Sequence, residues 1–371
     1  MHTILVIGPT PPPVHGVSSA MHLLLQSALQ QKFRVLHLEL ADRRGIEHVD
    51  KPDLHDVWLF IRQWLSLFRL LRHRPRLTYL AISQSTIGFL RDSLFIWPAY
   101  LAGSRIVLHL HGGNFQTWHR SRGPLMRRYV GWTLSVVAQA VVLGGSLRNS
   151  FEGLVASERI AVVPNGVRRP SPSSRPVTTW PKGRSHRVLS LGTLNRLKGT
   201  LVLLKAVPLV VRHRPDVEFV LAGAWSHEED RRTADAMIRD HGMEDHVVFS
   251  GQVLGADKEA LLESADLFVF PGVQQEGQPL VVLEAMAAGL PILCTDRGCL
   301  RDTIVDRESG LLLRLNDPEQ VAEQLLWLLD RPGEMKRMGA QARARFERYY
   351  TSDRFQADMT SIFERVAGGP V

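Results

Sequence analysis

Phe268-Val-Phe-Pro271-Gly-Val-Gln-Gln-Glu276-Gly277-Gln278-Pro279-Leu280-Val281-Val-Leu-Glu284-Ala-Met-Ala-Ala-Gly289-Leu-Pro291 reads as a strand, a loop and a helix in immediate succession. The apolar run stops at Pro271, and the loop after it carries Glu276. Pro279 suits the first position of a helix, which Gly289 ends with Pro291 just beyond. The free amides near Leu280 and Val281 then make a positive helix start at the strand's carboxyl end, a place suited to a phosphate. Glu284 follows one turn later, and its side chain leans back toward that same end. Two carboxylates beside an anion site are costly unless they bind hydroxyls or cations.

Outward from this stretch the pattern repeats. Val188–Leu191, Val217–Leu221, Val247–Phe249, Asp266–Phe270 and Pro291–Cys294 are apolar strand candidates, with helical stretches around 200–213, 229–240, 257–264 and 280–288. Continuous apolar strands alternating with helices indicate a parallel sheet covered on both faces, which binds ligands at the carboxyl ends of its strands. The first half offers Ile4–Ile7, Arg34–Leu38, Leu77–Ala81, Arg105–His109 and Ala140–Leu143. Between the halves, residues 168–187 hold Pro170, Pro172, Pro176 and Pro181 among serines, a linker composition. The expectation is α/β: two Rossmann-like, doubly wound lobes, 1–167 and 188–350, facing each other across a cleft. Residues 351–371 add an amphipathic helix, Asp353–Val366, able to pack back on the first lobe.

Composition narrows the class. The chain has 371 residues, enough for two or three domains, with 44% hydrophobic and 22% charged residues, the profile of an ordinary globular protein. Two cysteines, Cys294 and Cys299, exclude a disulfide framework and a four-cysteine metal site, and suit a reducing cytoplasm. Met1-His2-Thr3 leads straight into a short apolar run that lacks the form of a signal peptide. Tyr129–Leu147 carries no formal charge but is broken by Gly131, Gly144 and Gly145, and reads as helix end, strand and turn rather than a span. The net charge of +8 is uneven: residues 1–165 hold 18 Lys and Arg against 9 Asp and Glu, whereas residues 188–371 hold 21 against 28. That division suggests different partners for the halves and argues against a nucleic-acid-binding protein.

The run from Glu276 through Glu284 to Ala285-Met-Ala-Ala-Gly289-Leu-Pro291 resembles the donor-binding signature of glycosyltransferase family 4, retaining enzymes of the GT-B fold that use activated sugars. The resemblance implies that Glu276 lies near the transferred sugar and that Glu284 binds the ribose hydroxyls. Gly277, Gln278, Pro279, Leu280 and Val281 would hold the diphosphate. Leu191-Gly192-Thr193-Leu-Asn195-Arg196-Leu-Lys198-Gly199 is similar to the family's loop in which an Arg and a Lys neutralise the leaving diphosphate. The family more often places its Arg where this chain has Thr193, and Arg196 is the shifted candidate. Gly8-Pro-Thr-Pro-Pro-Pro13-Val-His15-Gly16 resembles the glycine loop near donor phosphate or acceptor, with His15 in place of the usual second glycine. His109-Leu-His111-Gly112-Gly113-Asn114 resembles the segment whose His faces the reaction centre. His111 matches it, and His109, on the same side of the strand, is the weaker choice. Asn114, and Asn165 in Val162-Val-Pro164-Asn165-Gly166, fall on the acceptor side, and Gln252 and Val253 in the turn that meets the base.

The implied reaction moves a hexose from a UDP- or GDP-sugar to a glycan or polyprenyl-linked acceptor with retention, in cell-surface polysaccharide synthesis. The catalytic set is Glu276, His111, Lys198 and Arg196. No metal or cofactor is required, because side chains and a helix end supply the positive charge. Two other classes stay open: a nucleotide-sugar epimerase on the same fold, and a catalytically silent scaffold of an assembly complex. The expected location is cytoplasmic, with peripheral attachment at the inner membrane's cytoplasmic face permitted by the basic first half. Val57–Arg74 bears on that question. Arg62, Ser66, Arg69 and His73 form a narrow polar stripe, while Trp58, Phe60, Trp64 and Phe68 fall in the wide apolar remainder. Such a helix either lies in a membrane interface or buries its apolar face on the sheet.

Overall fold

A computed structural model describes residues 1–41, 54–170 and 185–368. They form two units, Met1–Gly166 with Ser352–Val371, and Val167–Thr351.

Unit 1 alternates strands and helices in chain order. They are β1 (His2–Gly8), α1 (Gly16–Leu25), α2 (Leu29–Lys32), β2 (Phe33–Glu39), α3 (Leu54–Leu71), β3 (Leu77–Ala81), α4 (Thr86–Leu101), β4 (Arg105–Leu110), α5 (Phe115–Arg120), α6 (Pro124–Ser135), β5 (Val137–Val142) and β6 (Ile160–Val162). All six strands pair in parallel, in the order β2-β1-β3-β4-β5-β6. Unit 2 continues with β7 (His186–Leu191), α7 (Thr200–Val211), β8 (Val217–Ala222), α8 (Glu228–Asp240), β9 (Val247–Gly251), α9 (Gly255–Ser264) and β10 (Leu267–Phe270). There follow α10 (Leu280–Ala287), β11 (Ile292–Thr295), α11 (Leu300–Thr303), β12 (Gly310–Leu313), α12 (Pro318–Leu329) and α13 (Pro332–Tyr349). Its sheet is also parallel, in the order β12-β11-β10-β7-β8-β9. The expected α/β class, two doubly wound parallel sheets, is what the chain adopts.

The strand order decides where chemistry gathers. Unit 2 winds from β7 to β8 and β9 in one direction and from β10 to β11 and β12 in the other. Connections after β7 and β10 therefore part on opposite sides, leaving the crevice in which open α/β sheets bind ligands. β10 is buried along its whole length, as is β11, because helices cover both faces.

One boundary differs from the sequence reading, and the packing expected of the last helix is found. Strand β7 begins inside the stretch assigned to the linker. Arg187 is 2% exposed and bound to Glu218 at 2.7 Å, so burial with a partner overrides the basic, proline-rich composition around it. Pro172, Pro176 and Pro181 lie outside the described residues. The last helix, α14 (Ser352–Gly368), belongs to unit 1. Phe355, Met359, Ile362 and Phe363 join Tyr79, Val107 and Leu24 in one core, and Gln356 Nε2 donates to the Leu23 carbonyl at 2.8 Å.

Helix α3 presents three faces rather than two. Leu67 and Leu71 are buried, Phe60 packs edge-on against Phe95 of α4, and Trp64 Nε1 donates to the Leu94 carbonyl at 3.1 Å. Trp58, Ile61, Leu65 and Phe68 face solvent. The apolar remainder read from the sequence is thus divided between core and surface. No helix among the described residues is long and apolar enough to cross a membrane.

Candidate active site

Three loops meet at the carboxyl ends of β7, β10 and β11. The loop after β7 lies directly on the loop after β10: the amides of Val273 and Gln274 both donate to the Leu197 carbonyl, at 2.9 and 3.2 Å. Gly199 makes this possible. Its φ is +83°, and a Cβ there would overlap the Pro271 carbonyl. On the other side Gly298, at φ +55°, sits against the backbone of Glu276 where a Cβ would overlap its carbonyl. Thr295 Oγ1 adds a bond to the Gly272 carbonyl at 2.6 Å. The Glu276 loop is therefore held from both flanks by neighbouring strands' loops.

Lys198 and Glu276 come together here, Nζ to Oε1 at 2.7 Å, with side chains 27% and 12% exposed. Gln274 Nε2 donates to the same Oε1 at 2.7 Å, and the Lys198 amide is fixed by Asn195 Oδ1 at 2.8 Å. Helix α10 starts at Leu280, so Pro279 is its N-cap, one residue before the first helical position the sequence suggested for it, and no side chain caps the helix. The amides of Leu280 and Val281 are thus left for a ligand, as the Pro279 position suggested. Gly277 and Gln278 are buried in the approach to α10, and Gln278 Nε2 donates to Thr303 Oγ1 at 3.0 Å.

Glu284, one turn into α10, is paired with Lys258 of α9, Nζ to Oε1 at 2.6 Å. Its Oε2 is buried without a hydrogen-bond partner among the described residues. Burial pushes this carboxyl above the usual range, with Lys258 pulling the other way. A half-satisfied buried carboxylate is what a hydroxyl-bearing ligand would complete.

Arg196 is not joined to the Lys198–Glu276 pair. Its Nε binds Asp230 at 2.6 Å and its Nη2 binds Glu229 at 2.9 Å, while its amide donates to Asp230 Oδ2 at 2.8 Å. The guanidinium ties the β7 loop to the start of α8. Gly192, at the end of β7, has φ +139° with open space around it. Gln252 and Val253 follow β9, on the outer edge of the sheet.

Unit 1 gathers the residues assigned to the acceptor side. His15 caps α1: Ser18 N donates to its Nδ1 at 3.3 Å, and the His15 amide donates to Ser18 Oγ at 3.0 Å. Gly16 opens α1 with nothing within contact of a would-be Cβ. At the end of β4, His109 is fully buried and shares a 2.9 Å bond with the Tyr79 hydroxyl, a core role. Both ring nitrogens of His111 are buried without a hydrogen-bond partner among the described residues. Burial, with nearby His15 adding to it, lowers the His111 pKa to about 4, so its ring is neutral. Asn114 precedes α5 and its amide donates to Gln84 Oε1 at 2.8 Å, while Asn165 is buried after β6. Among the described residues no three His, Cys, Asp or Glu side chains converge as metal ligands would.

The sequence reading passed over two cations. Lys258 lies on a helix whose spacing marks it only as a surface lysine, and its pairing with Glu284 spans 26 residues. Arg297, in the loop after β11 next to Gly298, has its Nε buried without a partner, and its guanidinium makes no ion pair among the described residues. Its neighbour's contact with Glu276 was the missing signal.

A switch-point crevice holding two lysines, two carboxylates and an uncapped helix start has the chemistry that an anionic, hydroxyl-bearing ligand would need. Residues 176–345 match the family glycosyl transferases group 1. The chain is 32% identical over 291 residues to the phosphatidyl-myo-inositol mannosyltransferase of Mycolicibacterium smegmatis, covering 71% of this chain and 72% of that one. It is 30% identical over 278 residues to the protein of that name in Mycobacterium leprae, 74% and 71% of the two chains. In fold it is similar to HepE of Anabaena in complex with UDP, with a TM-score of 0.77 at 18% identity over 98% of this chain and 100% of that one. The sucrose-phosphate synthase of Thermosynechococcus elongatus gives 0.74 at 17% identity over 99% and 100%. The chain belongs to the glycosyl transferases group 1 family, and it is a glycosyltransferase of GT-B fold class.

Proposed function

We propose that the chain transfers a hexose from a UDP- or GDP-sugar, with retention of configuration, to a glycan or lipid-linked acceptor. The reaction serves cell-surface polysaccharide synthesis at the cytoplasmic face of a membrane. The observation that carries this is the Lys198–Glu276 pair set beside the uncapped start of α10 at the switch point of unit 2. The names of the mannosyltransferase relatives and the UDP and UDP-glucose complexes of HepE support a nucleotide-sugar donor and a lipid acceptor.

In this reading the diphosphate lies on the amides of Leu280 and Val281 and draws Lys198 away from Glu276. The acceptor oxygen forms its bond to the anomeric carbon as the bond from that carbon to the diphosphate breaks. The departing diphosphate oxygen takes the acceptor's proton on the same face. Negative charge grows on the diphosphate, and Lys198 and the helix start stabilise it without metal or cofactor. Glu276, freed from Lys198, accepts hydrogen bonds from the sugar, and Glu284 Oε2 accepts from the ribose. Arg196 positions the Lys198 loop through Asp230, and Arg297 supplies the charge that Thr193 lacks. His111, neutral, donates or accepts a hydrogen bond on the acceptor side.

Purified protein incubated with UDP-glucose, UDP-N-acetylglucosamine and GDP-mannose tests the reading. Slow release of one nucleotide with the sugar's configuration kept is the expected result. An isomerised donor would identify an epimerase, and absence of binding to every donor a silent scaffold; either outcome overturns the proposal.

A further inference from the structure

The sheet of unit 1 has a switch point of its own. Its order, β2-β1-β3-β4-β5-β6, sends the chain outward from β1 to β2 and then back to β3 on the other side of β1. Open α/β sheets bind ligands at the carboxyl ends of strands that part in this way, here β1 and β3. The loop after β1 carries His15, and the loop after β4, beside β3 in the sheet, carries His111. Between them lies the loop after β3, Ile82-Ser83-Gln84-Ser85.

That loop is anchored on both sides of Gln84. Asp92 of α4 is fully buried; its Oδ2 accepts the Ser83 amide at 2.8 Å, and Arg91 Nη2 balances its charge, 2.7 Å from Oδ1. Ser85 is the N-cap of α4, and its Oγ accepts the Gly88 amide at 3.2 Å. The half-buried side chain of Gln84 reaches from this footing to the loop after β4. There its Oε1 accepts the Asn114 amide at 2.8 Å. A backbone amide can only donate, so the carboxamide's direction is fixed, with its oxygen toward Asn114 and its nitrogen over Gly112. A Cβ at Gly112 would overlap that nitrogen, and the three nearest atoms to it all belong to Gln84. Contact, and not an unusual backbone angle, is what calls for glycine here.

His111 depends on such a hold. Neither of its ring nitrogens has a hydrogen-bond partner among the described residues, so no bond of its own sets the ring's direction. On the strand side the ring packs 4.0 Å from that of His109, which the Tyr79 hydroxyl fixes at 2.9 Å. On the other side the chain runs into Gly112 and Gly113, which restrain the backbone least. Gln84 spans these glycines, resting on the first and bonding the residue after the second.

We propose that Gln84 is a positioning residue of the transfer reaction: it clips the loop after β4 across Gly112 and Asn114, and so holds His111 in its working orientation. This rests on the role given to His111 above. Donor hydrolysis by the full chain is followed with whichever nucleotide sugar it turns over, alongside an NMR titration of the histidine rings in the ligand-free protein. Gln84→Ala should lower kcat about tenfold with KM little changed, since a small misplacement near the reacting atoms is costly. Gly112→Ala should push the carboxamide away and reproduce the loss, and combined with Gln84→Ala it should add nothing further. Gln84→Met keeps the bulk over Gly112 without the bond, and should show a smaller loss of the same kind. In the titration His111, held at about 4 by burial and then by His15, should move toward 6.5 in both alanine variants as water enters. Amide signals of β1 and β4 that keep their positions establish that unit 1 is folded, and the methionine variant decides where an alanine variant is not. If no nucleotide sugar is turned over, the reading of the reaction fails and the titration alone decides for Gln84. Unchanged kcat with an unmoved His111 ring, a raised KM with kcat intact, or losses that add in the paired variant each overturn the proposal.

Discussion

Replacing Lys258 by methionine leaves the Glu284 carboxylate at the start of α10 without the one ion pair it makes among the described residues, found at 2.6 Å. Removing one partner of a fully buried pair costs about 3–5 kcal/mol, whereas exposed pairs contribute about 0–1 kcal/mol. Here the side chains are 25% and 21% exposed, and Glu284 Oε2 has no other bond among the described residues to fall back on. Lys258→Met should therefore cost about 2 kcal/mol, between those limits. Pairing it with Glu284→Gln should recover about 1 kcal/mol, because the stranded charge is gone. Hydrogen exchange of the α10 amides is the appropriate readout, since it reports local opening and does not require the two units to unfold together. Burial already holds the Glu284 carboxyl above its ordinary range. Its contribution to stability is then greatest in acid and is lost as the pH rises through that raised value. Nucleotide affinity follows the ionised carboxylate and climbs over the same interval, and Lys258→Met should move both transitions to higher pH. Calorimetry with UDP and GDP should find Glu284→Ala weaker by about 1–3 kcal/mol for whichever nucleotide binds. If Lys258→Met leaves α10 protection, nucleotide affinity and its pH dependence unchanged, the ion pair has no role in the site.

Lys198→Ala should lower turnover far more than donor affinity, because its charge matters most as the diphosphate departs; a raised KM with kcat intact in steady-state kinetics refutes this. Arg297→Met should act in the same direction with smaller effect, and unchanged kcat removes it from the site. Gly199→Ala should destabilise unit 2 by about 2 kcal/mol or more in urea titrations, since it strains a left-handed residue and overlaps Pro271; unchanged stability would mean that the two loops part easily. His111, lowered to about 4, binds protons less readily folded than unfolded. Stability from its burial is present above about pH 6.5 and lost as the pH falls toward about 4, and an NMR titration placing its pKa near 6.5 contradicts that.

Much of this was legible in the order of residues. An apolar run such as Phe268–Phe270, bounded by Pro271, announces a strand buried on both faces, as a parallel sheet covered by helices requires. Pro279 and Gly289 bracket α10 by the same local logic, since each acts on backbone angles within its own turn. What the residues themselves could not reveal is which charges meet. Lys198 and Glu276 are 78 residues apart, and only the reversal of strand order between β7 and β10 brings their loops together. The same long-range geometry commits Arg196 to Asp230 and leaves the buried Nε of Arg297 without a partner among the described residues. It also splits the apolar residues of α3, placing Leu67 in the core and Leu65 in solvent. Periodicity reports that a helix has an apolar side. Which part of that side is covered depends on where the neighbouring helix comes to rest, and that is decided by packing between residues far apart in the chain.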